Sequence, residues 1–239
     1  MAKNDERAVA YVDVIGWSAA FEAIGHERLL QVAISISDHK QSFSKTQKEK
    51  SKALSAQLER STGITQPSNE KYLDIRFSFV SDCFVISASP WNIENLLNVT
   101  RWKCMTLLGD FGFLTRGGIT MGLATHDTDR DIVVGEPLVR AVQLEKITSM
   151  PRVEISPEVL DCTRNTNAER FVYDDGEKSV LNICGVSDAW MVQCKNKLEA
   201  GLAAVPDERL KDKWRYMQRH LDNMQRAMRP KRPTQRNSL

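Results

Sequence analysis

An aspartate inside a strand pattern is the feature that most constrains this sequence. Residues 8–15, AVAYVDVI, form a run of β-branched and aromatic side chains that ends at Gly16, which is the pattern of a buried β-strand. Asp13 interrupts that run. A carboxylate in a buried strand is costly unless it is paired or binds a metal. We therefore expect a strand that carries a functional carboxylate near its end.

A second aspartate repeats this pattern. Residues 72–88, YLDIRFSFVSDCFVISA, contain two apolar stretches interrupted at Ser81 and Asp82, which predicts a β-hairpin with Asp82 at its tip. Two carboxylates of this kind favour a divalent cation, and Mg²⁺ prefers one or two carboxylates together with substrate phosphates. The aspartates therefore predict metal-assisted chemistry on a phosphorylated substrate.

The turn after the first strand is suited to binding phosphate. Ser18 precedes an apolar-periodic stretch, residues 20–36, which predicts a long helix with an irregularity at Gly25. The backbone N–H groups of Gly16, Trp17 and Ser18 then lie at a helix N-terminus, where they can hold phosphate oxygens. One segment thus supplies a metal ligand and a phosphate site.

The remaining pattern predicts an α+β fold with a ferredoxin-like βαββαβ core and a C-terminal helical extension. Residues 39–70 are polar and predict a solvated helix continuation that ends in a loop. The other expected elements are a helix over 93–108, a strand over 113–122, a polar connection over 125–131, a strand over 131–134, a helix over 137–147, short strands at 153–155, 171–173 and 180–184 around a small helix at 156–162, and helical pattern from 189 onward. We expect a catalytic domain over 1–185, a helical flank over 186–228 and a disordered basic tail over 229–239.

Composition excludes several classes of protein. Hydrophobic residues make up 41% and charged residues 27% of the chain, as in soluble globular proteins. The apolar runs are far shorter than the roughly 20 residues that a membrane helix needs, and MAKNDER is too polar for a signal peptide. We expect a cytoplasmic protein. The five cysteines show no CxxC spacing, so neither a disulfide framework nor a thiolate zinc site is expected.

Four segments, in the same order, resemble the class III nucleotidyl cyclases, the catalytic domains of adenylate and guanylate cyclases. YVDVIGWS at 11–18 resembles the family's FxDIxGFT, and VSD at 80–82 stands where the family has a Gly-Asp hairpin tip. RGGITMG at 116–122 resembles RxGIxxG, and GEPLVRAVQLE at 135–145 resembles GxxVNxAxRLE. The resemblance covers residues 8–185.

The resemblance implies a site for two divalent cations, Mg²⁺ or Mn²⁺, held by Asp13, the Val14 carbonyl and Asp82. One ion would activate the ribose 3′-hydroxyl of a nucleoside triphosphate and the other would grip the triphosphate. Arg116 would contact the phosphates, although a surface arginine on a strand is the alternative. In the family the sites lie between two catalytic domains, so the resemblance implies a head-to-tail homodimer.

The sequence departs from the family at the residues that stabilise the transition state. Val139 and Gln143 stand where the family has an asparagine and an arginine, and Asn182 stands where a late-strand lysine is expected. A cation that neutralises charge on the transferring phosphate is therefore missing. Arg140, three residues before Gln143, can substitute for it or can be structural.

The base-selecting positions depart as well. Adenine-specific members carry lysine and guanine-specific members glutamate where this chain has Ser78, and Ile132 replaces an expected aspartate or cysteine. Arg76 and Ser78 face the same side of a strand and can contact a pyrimidine. The pattern resembles the pyrimidine cyclases of the Pycsar antiphage defence system, which implies UTP or CTP as substrate, UTP favoured, and a downstream effector activated by the cyclic nucleotide.

Three alternatives remain at this level. One is an adenylate cyclase with an altered pocket. Another is a catalytically inactive, cyclase-like dimer that senses a nucleotide or a partner. A nucleic-acid-binding protein rests only on the basic residues between 226 and 236 and predicts strongly salt-dependent binding.

Overall fold

A computed structural model describes residues 5–22, 24–37, 74–184 and 187–228. These residues form one mixed sheet of eight strands with helices around it, which confirms the predicted α+β class. The strands are β1 (Asp5–Ile15), β2 (Ile75–Val80), β3 (Cys83–Ala88), β4 (Leu114–Asp127), β5 (Ile132–Gly135), β6 (Val153–Ile155), β7 (Val172–Asp174) and β8 (Ser179–Leu181). The helices are α1 (17–22 and 24–37), α2 (Ile93–Thr106), α3 (Glu136–Ile147), α4 (Pro157–Thr163), α5 (Asp188–Ala204) and α6 (Glu208–Met228).

The first four strands have the ferredoxin-like order. The sheet runs β2-β3-β1-β4-β6-β8-β7, and β5 pairs with β4. β1 is antiparallel to both of its neighbours, β3 and β4, so the longest strands hold the centre of the sheet. β6 is parallel to β4 and extends the sheet towards β8 and β7. The predicted βαββαβ order is therefore confirmed, with a further edge built by the later strands.

Alternation along β1 gives the sheet two different faces. One face packs against α1 and α2 in the main core, to which β1 contributes Ala8, Ala10, Val12 and Val14, each 2% exposed or less. The opposite face carries Val9, Tyr11 and Asp13 and lies beneath α3, whose Leu138 joins a small apolar cluster there. We call this second side the α3 face. It carries Asp13, Arg116 and Glu145 of the site described below.

The C-terminal helices share the main core. Their contribution consists of Met191, Cys194, Leu198, Met217, Leu221 and Met224. The two helices approach closely at Gly201, where an added Cβ would lie 2.3 Å from the Trp214 ring. The predicted helical pattern divides into α5 and α6 at residues 205–207. Val205 precedes Pro206 and is extended, because the proline ring disfavours a helical conformation of the residue before it.

Two predicted boundaries were wrong. The strand expected to end at residue 122 continues to Asp127, because its polar residues pair with β5 in a hairpin that closes at Asp127 and Ile132. The helix expected to close near Gly109 continues as a π-helical turn to Phe111 and ends at Gly112, which has φ +77°. Gly109 lies inside this helical segment and packs against Trp190. A Cβ at this position would lie 2.8 Å from the indole nitrogen, so a side chain would collide with the ring.

Some predictions fall outside the described residues. They concern the polar segment 39–70 and the basic tail 229–239. Among the helices that the structure does describe, none combines the length and apolar character required to cross a bilayer.

Candidate active site

The two aspartates lie on neighbouring strand ends. Asp13 near the end of β1 pairs in register with Cys83, the residue after Asp82. The Val14 N–H donates a hydrogen bond of 2.8 Å to the Asp82 carbonyl, which joins the two segments directly. Ser81, at the hairpin tip, has φ +59°, in the left-handed region that favours glycine. The predicted hairpin with Asp82 at its tip is confirmed.

Arg116 links Asp13 to a third carboxylate. Arg116 stands opposite Asp13 in the β1–β4 register, and its Nε lies 3.0 Å from Asp13 Oδ2 and 2.6 Å from Glu145 Oε1 on α3. The side chains of Asp13 and Glu145 are 16% and 6% exposed, whereas Arg116 is 30% exposed. The guanidinium is therefore shared by two carboxylates and still reaches solvent. We call Asp13, Asp82, Arg116 and Glu145 the acidic cluster.

The charges of the acidic cluster act on one another. Burial raises the pKa of Glu145, the Arg116 charge lowers it, and the Asp13 and Asp82 carboxylates raise it further. The charge of Lys213 on α6 also interacts with this cluster. Its burial lowers its pKa, as does the Arg116 charge, while Asp13 and Glu145 act in the opposite direction.

A thiol and a phenol border the cluster. Burial raises the pKa of Cys83, and the nearby carboxylates Asp82 and Asp13 add to that shift. Burial also raises the pKa of Tyr11, whose hydroxyl is hydrogen-bonded with the Cys83 thiol. Both groups are therefore neutral near pH 7, and neither adds a charge beside the two aspartates.

The donor set suits a hard divalent cation that shares its ligands with a substrate. Carboxylate oxygens from Asp13 and Asp82 and a backbone carbonyl from Val14 are the oxygen ligands that Mg²⁺ accepts, with phosphates completing the shell. Within the described ranges, no three His, Cys, Asp or Glu side chains are arranged to hold a metal by themselves. A cation here would depend on the bound substrate for part of its coordination.

The turn after β1 forms as predicted. Gly16 has φ +84°, and its carbonyl accepts a hydrogen bond of 2.9 Å from the Ala20 N–H, which opens α1. The first N–H groups of a helix have no partner within the helix, so this end can receive an anion. Trp17 packs its ring against Phe79 and Phe113, at centroid distances of 6.0 and 5.7 Å. Its side chain therefore anchors the turn, and Ser18 stays exposed.

The two expected base-contacting residues share the α3 face with Asp13, but they lie in an internal polar network. Ser78 is 4% exposed, and its hydroxyl lies 3.1 Å from Nε2 of His126, which is fully buried. The other ring nitrogen of His126 lies 2.8 Å from the Ser87 hydroxyl, which accepts a hydrogen bond from Arg7. Arg76 donates to the His126 carbonyl at 2.5 Å. The β4–β5 hairpin thus covers the predicted base-selecting residue.

Ile132 is not brought into this network. Its side chain is 43% exposed, whereas the next residue, Val133, packs against the apolar cluster on the α3 face. Adjacent residues of a strand point to opposite sides, so Ile132 is directed away from Ser78 and His126.

The predicted transition-state residues on α3 are placed on other sides of the helix. Arg140 donates to the Met121 carbonyl at 2.8 Å and forms an ion pair with Glu158 on α4. Gln143 is exposed, and Val139, one turn earlier, is 57% exposed. Neither Arg140 nor Gln143 joins the acidic cluster, and among the described residues Arg116 is the cation that contacts Asp13 directly.

Three residues near the candidate site were missed by the sequence reasoning. The burial of Glu145 could have been predicted, because it follows Pro137 and Ala141 at four-residue intervals on the buried side of α3. His126 fell in a segment predicted to be a loop. Lys213 lies 200 residues after Asp13 on a strongly charged helix, and no local pattern distinguishes it from the other lysines.

Comparison with known proteins gives a likeness of fold. No family model matches the sequence. No curated protein matches it either. Among solved structures, the chain is similar to the adenylyl cyclase CyaB from P. aeruginosa, with 14% identity over 76% of this chain and 93% of that chain and a TM-score of 0.46.

Two further similar structures are guanylyl cyclase domains. The monomeric guanylyl cyclase domain of RhoGC from Blastocladiella emersonii is 11% identical over 75% of this chain and 95% of that chain, with a TM-score of 0.48. The guanylate cyclase domain of RhGC from Catenaria anguillulae, in complex with GTP, is 10% identical over 74% and 93%, with a TM-score of 0.45.

Proposed function

We propose that this chain is a metal-dependent nucleotidyl cyclase that converts a pyrimidine nucleoside triphosphate, UTP in preference to CTP, to a 3′,5′-cyclic nucleotide and pyrophosphate. The observation that carries the proposal is the placement of Asp13 and Asp82 on adjacent strand ends beside Arg116 and the N-terminus of α1. This arrangement combines carboxylates for cations with donors for phosphate.

Each residue then has a defined task. Asp13, the Val14 carbonyl and Asp82 would hold two Mg²⁺ or Mn²⁺ ions, which supply charge neutralisation and activation of a hydroxyl when bound. Arg116 and the N–H groups of residues 16–18 bind and orient the triphosphate. The ribose 3′-hydroxyl loses its proton to solvent as its oxygen forms a bond to the α-phosphorus, the bond from that phosphorus to the bridging oxygen breaks, and pyrophosphate departs.

The pyrimidine assignment rests on the base-selecting positions. Ser78 is small and neutral, and the exposed Ile132 supplies no hydrogen bond, so neither purine pattern is present. Arg76 and Ser78 lie on the same face as Asp13, as the pairing of β2 with β3 requires. A base that contacts Ser78 or Arg76 would exchange their hydrogen bonds with His126 for hydrogen bonds of its own.

The assembly and biological role belong to the same proposal. Exposed apolar side chains on α3 and the β4–β5 hairpin, Val139, Ile147 and Val134, support a head-to-tail homodimer whose sites lie at the interface. The sequence resemblance to pyrimidine cyclases supports a role in antiphage defence, in which the cyclic nucleotide activates a separate effector.

The test is direct. The purified protein is incubated with each of the four ribonucleoside triphosphates and Mn²⁺ or Mg²⁺, and products are identified by mass. Cyclic UMP or cyclic CMP supports the proposal, and cyclic AMP as the main product replaces it with an adenylate cyclase. A protein that binds a triphosphate but forms no cyclic product from any of the four is a non-catalytic nucleotide sensor.

A further inference from the structure

A chain of hydrogen bonds connects the C-terminal helix α6 to the backbone of β4 next to Arg116. The Tyr216 hydroxyl donates to Asp175 at 3.2 Å, and Asp175 accepts from Arg152 at 2.8 Å. The Arg152 carbonyl accepts a hydrogen bond of 3.0 Å from the N–H of Gly117, the residue next to Arg116. This chain of contacts links α6, through Asp175 and Arg152, to the strand that carries Arg116.

Lys213 is positioned by that contact. It precedes Tyr216 by three residues, so both side chains lie on the same side of the helix, about 4.5 Å apart along its axis. Lys213 is partly buried, and its charge interacts with Arg116, Asp13 and Glu145. The helix therefore directs an ammonium group towards the acidic cluster.

The neighbouring cations of α6 behave differently. Lys211 and Arg215 form ion pairs on the helix surface with Glu208, at 2.6 and 3.2 Å. Among the carboxylates that the structure describes, none forms an ion pair within 4.0 Å of Lys213. The charge of Lys213 therefore interacts with the acidic cluster, and no described carboxylate forms a direct ion pair with its ammonium group.

The charge balance of the cluster favours a further cation. Asp13, Asp82 and Glu145 bring three carboxylates, and Arg116 brings one guanidinium. Arg140 is bound to Glu158 instead. The two divalent cations proposed above would offset part of this charge, but a triphosphate adds several more negative charges, and a partly desolvated ammonium is an effective donor to phosphate oxygens.

We propose that Lys213 is a triphosphate-binding residue supplied by α6, which makes the C-terminal helices part of the active site. The inference rests on the proposed function for the identity of the ligand, a nucleoside triphosphate. It requires that the protein bind this ligand, but not that the protein convert it. Lys213 donates to phosphate oxygens and compensates in part for the cation that Gln143 does not provide.

A calorimetric titration tests this inference. It measures the dissociation constant of inorganic tripolyphosphate for the full-length protein in the presence of Mn²⁺. Lys213→Met should raise the dissociation constant at least about tenfold, the effect of losing one charge-assisted hydrogen bond. Lys213→Arg should keep most of the affinity, and Lys211→Met, on the same helix, should leave it unchanged. Unfolding temperatures within the variant set establish that the fold is intact.

The two proposals fail in different ways. Equal tripolyphosphate affinity in wild type and Lys213→Met, or no binding by wild type, overturns the role of Lys213 even if the protein makes a cyclic nucleotide. Affinity that depends on Lys213, in a protein that cyclises none of the four triphosphates, supports the role of Lys213 and rejects the cyclase.

Discussion

The Nε of Arg116 on β4 donates a hydrogen bond of 3.0 Å to the Asp13 carboxylate on β1, directly across the strand pair. The same nitrogen lies 2.6 Å from Glu145, so one guanidinium orients two carboxylates from different elements. Arg116 therefore holds the Asp13 carboxylate in a fixed position at the end of β1. In the proposed reaction, Asp13 would bind a metal ion and Arg116 would bind the triphosphate.

Removal of either aspartate should abolish catalysis and preserve the fold. We expect Asp13→Asn and Asp82→Asn each to lower the rate of cyclic nucleotide formation at least about 100-fold, because bound metal ions contribute several kcal/mol to catalysis. Asp161→Asn, at an exposed position on α4, is the matched control and should retain full activity. Activity near the wild-type level in Asp13→Asn would reject the metal assignment.

The pairing of Arg116 with Glu145 should be measurable as a coupling energy. Arg116→Met leaves a buried carboxylate without its cation and should lower the free energy of unfolding by about 2–3 kcal/mol, less than for a fully buried pair because Arg116 is partly exposed. The double variant with Glu145→Gln should be at least about 1 kcal/mol more stable than the sum of the single changes predicts. Strictly additive effects in urea unfolding would show that the contact contributes nothing.

The packing of α3 on the sheet depends on Gly118. An added Cβ at this position would lie 2.7 Å from the Ala141 carbonyl and from Leu144 Cβ, so Gly118→Ala should cost about 1–3 kcal/mol in stability. Gly122→Ala, in the same strand, is the control, because its Cβ would meet only the Pro137 ring at 3.4 Å. Equal unfolding temperatures for the two variants would contradict the close approach of α3 to β4.

His220 should make the protein sensitive to acid. Burial lowers its pKa from 6.5 to about 4, so the unfolded chain binds a proton more readily than the folded chain does. The stability that neutral His220 provides is complete above pH 6.5 and is lost as pH falls towards 4, by up to about 3 kcal/mol.

His220→Phe removes the titrating group and keeps a ring between Tyr173 and Tyr216. Urea unfolding at pH 7, 5.5 and 4.5 should show a smaller loss of stability in this variant than in wild type. Parallel pH profiles for the two proteins would mean that His220 is not the acid-sensitive group.

Ser78 should influence the choice between UTP and CTP. Ser78→Ala removes a hydroxyl from the His126 network and should change the ratio of kcat/KM values for the two substrates by about tenfold. Ser87→Ala disturbs the other nitrogen of the same imidazole and is the matched control. If both variants change the ratio equally, the effect passes through His126; if neither does, base choice depends on Ile132 or on a residue of the second subunit.

Much of the fold could be predicted because its signals are local. The alternation of residues 8–15, the interruption at Asp82 and the helical spacing after Ser18 each fix an element within a short window of sequence. The glycines required more than local information. Gly109 looked like a helix end, but it serves the close packing of Trp190, which lies 81 positions further along the chain.

The candidate site could be predicted where its residues lie on strands and failed to emerge where they come from packed helices. Asp13 and Asp82 follow from their positions in strand patterns, and Arg116 follows from the resemblance of residues 116–122 to a cyclase strand. The relation of Lys213 to the cluster depends on the docking of α6 through Asp175 and Arg152, and the ion pair of Arg140 with Glu158 depends on the position of α4. Such contacts join distant segments, and no periodicity in the sequence encodes them.

The hydrogen bond from the Val14 N–H to the Asp82 carbonyl joins main-chain atoms alone. The spacing between the backbones that carry Asp13 and Asp82 is therefore set by the ladder between β1 and β3, whatever side chains the two strands carry. Substitutions at Ser78, Arg116 or Lys213, the residues proposed to contact a substrate, would leave that spacing unchanged. Evolution can therefore change the substrate-contacting side chains one at a time, because main-chain hydrogen bonds keep the segments that carry Asp13 and Asp82 at a constant spacing.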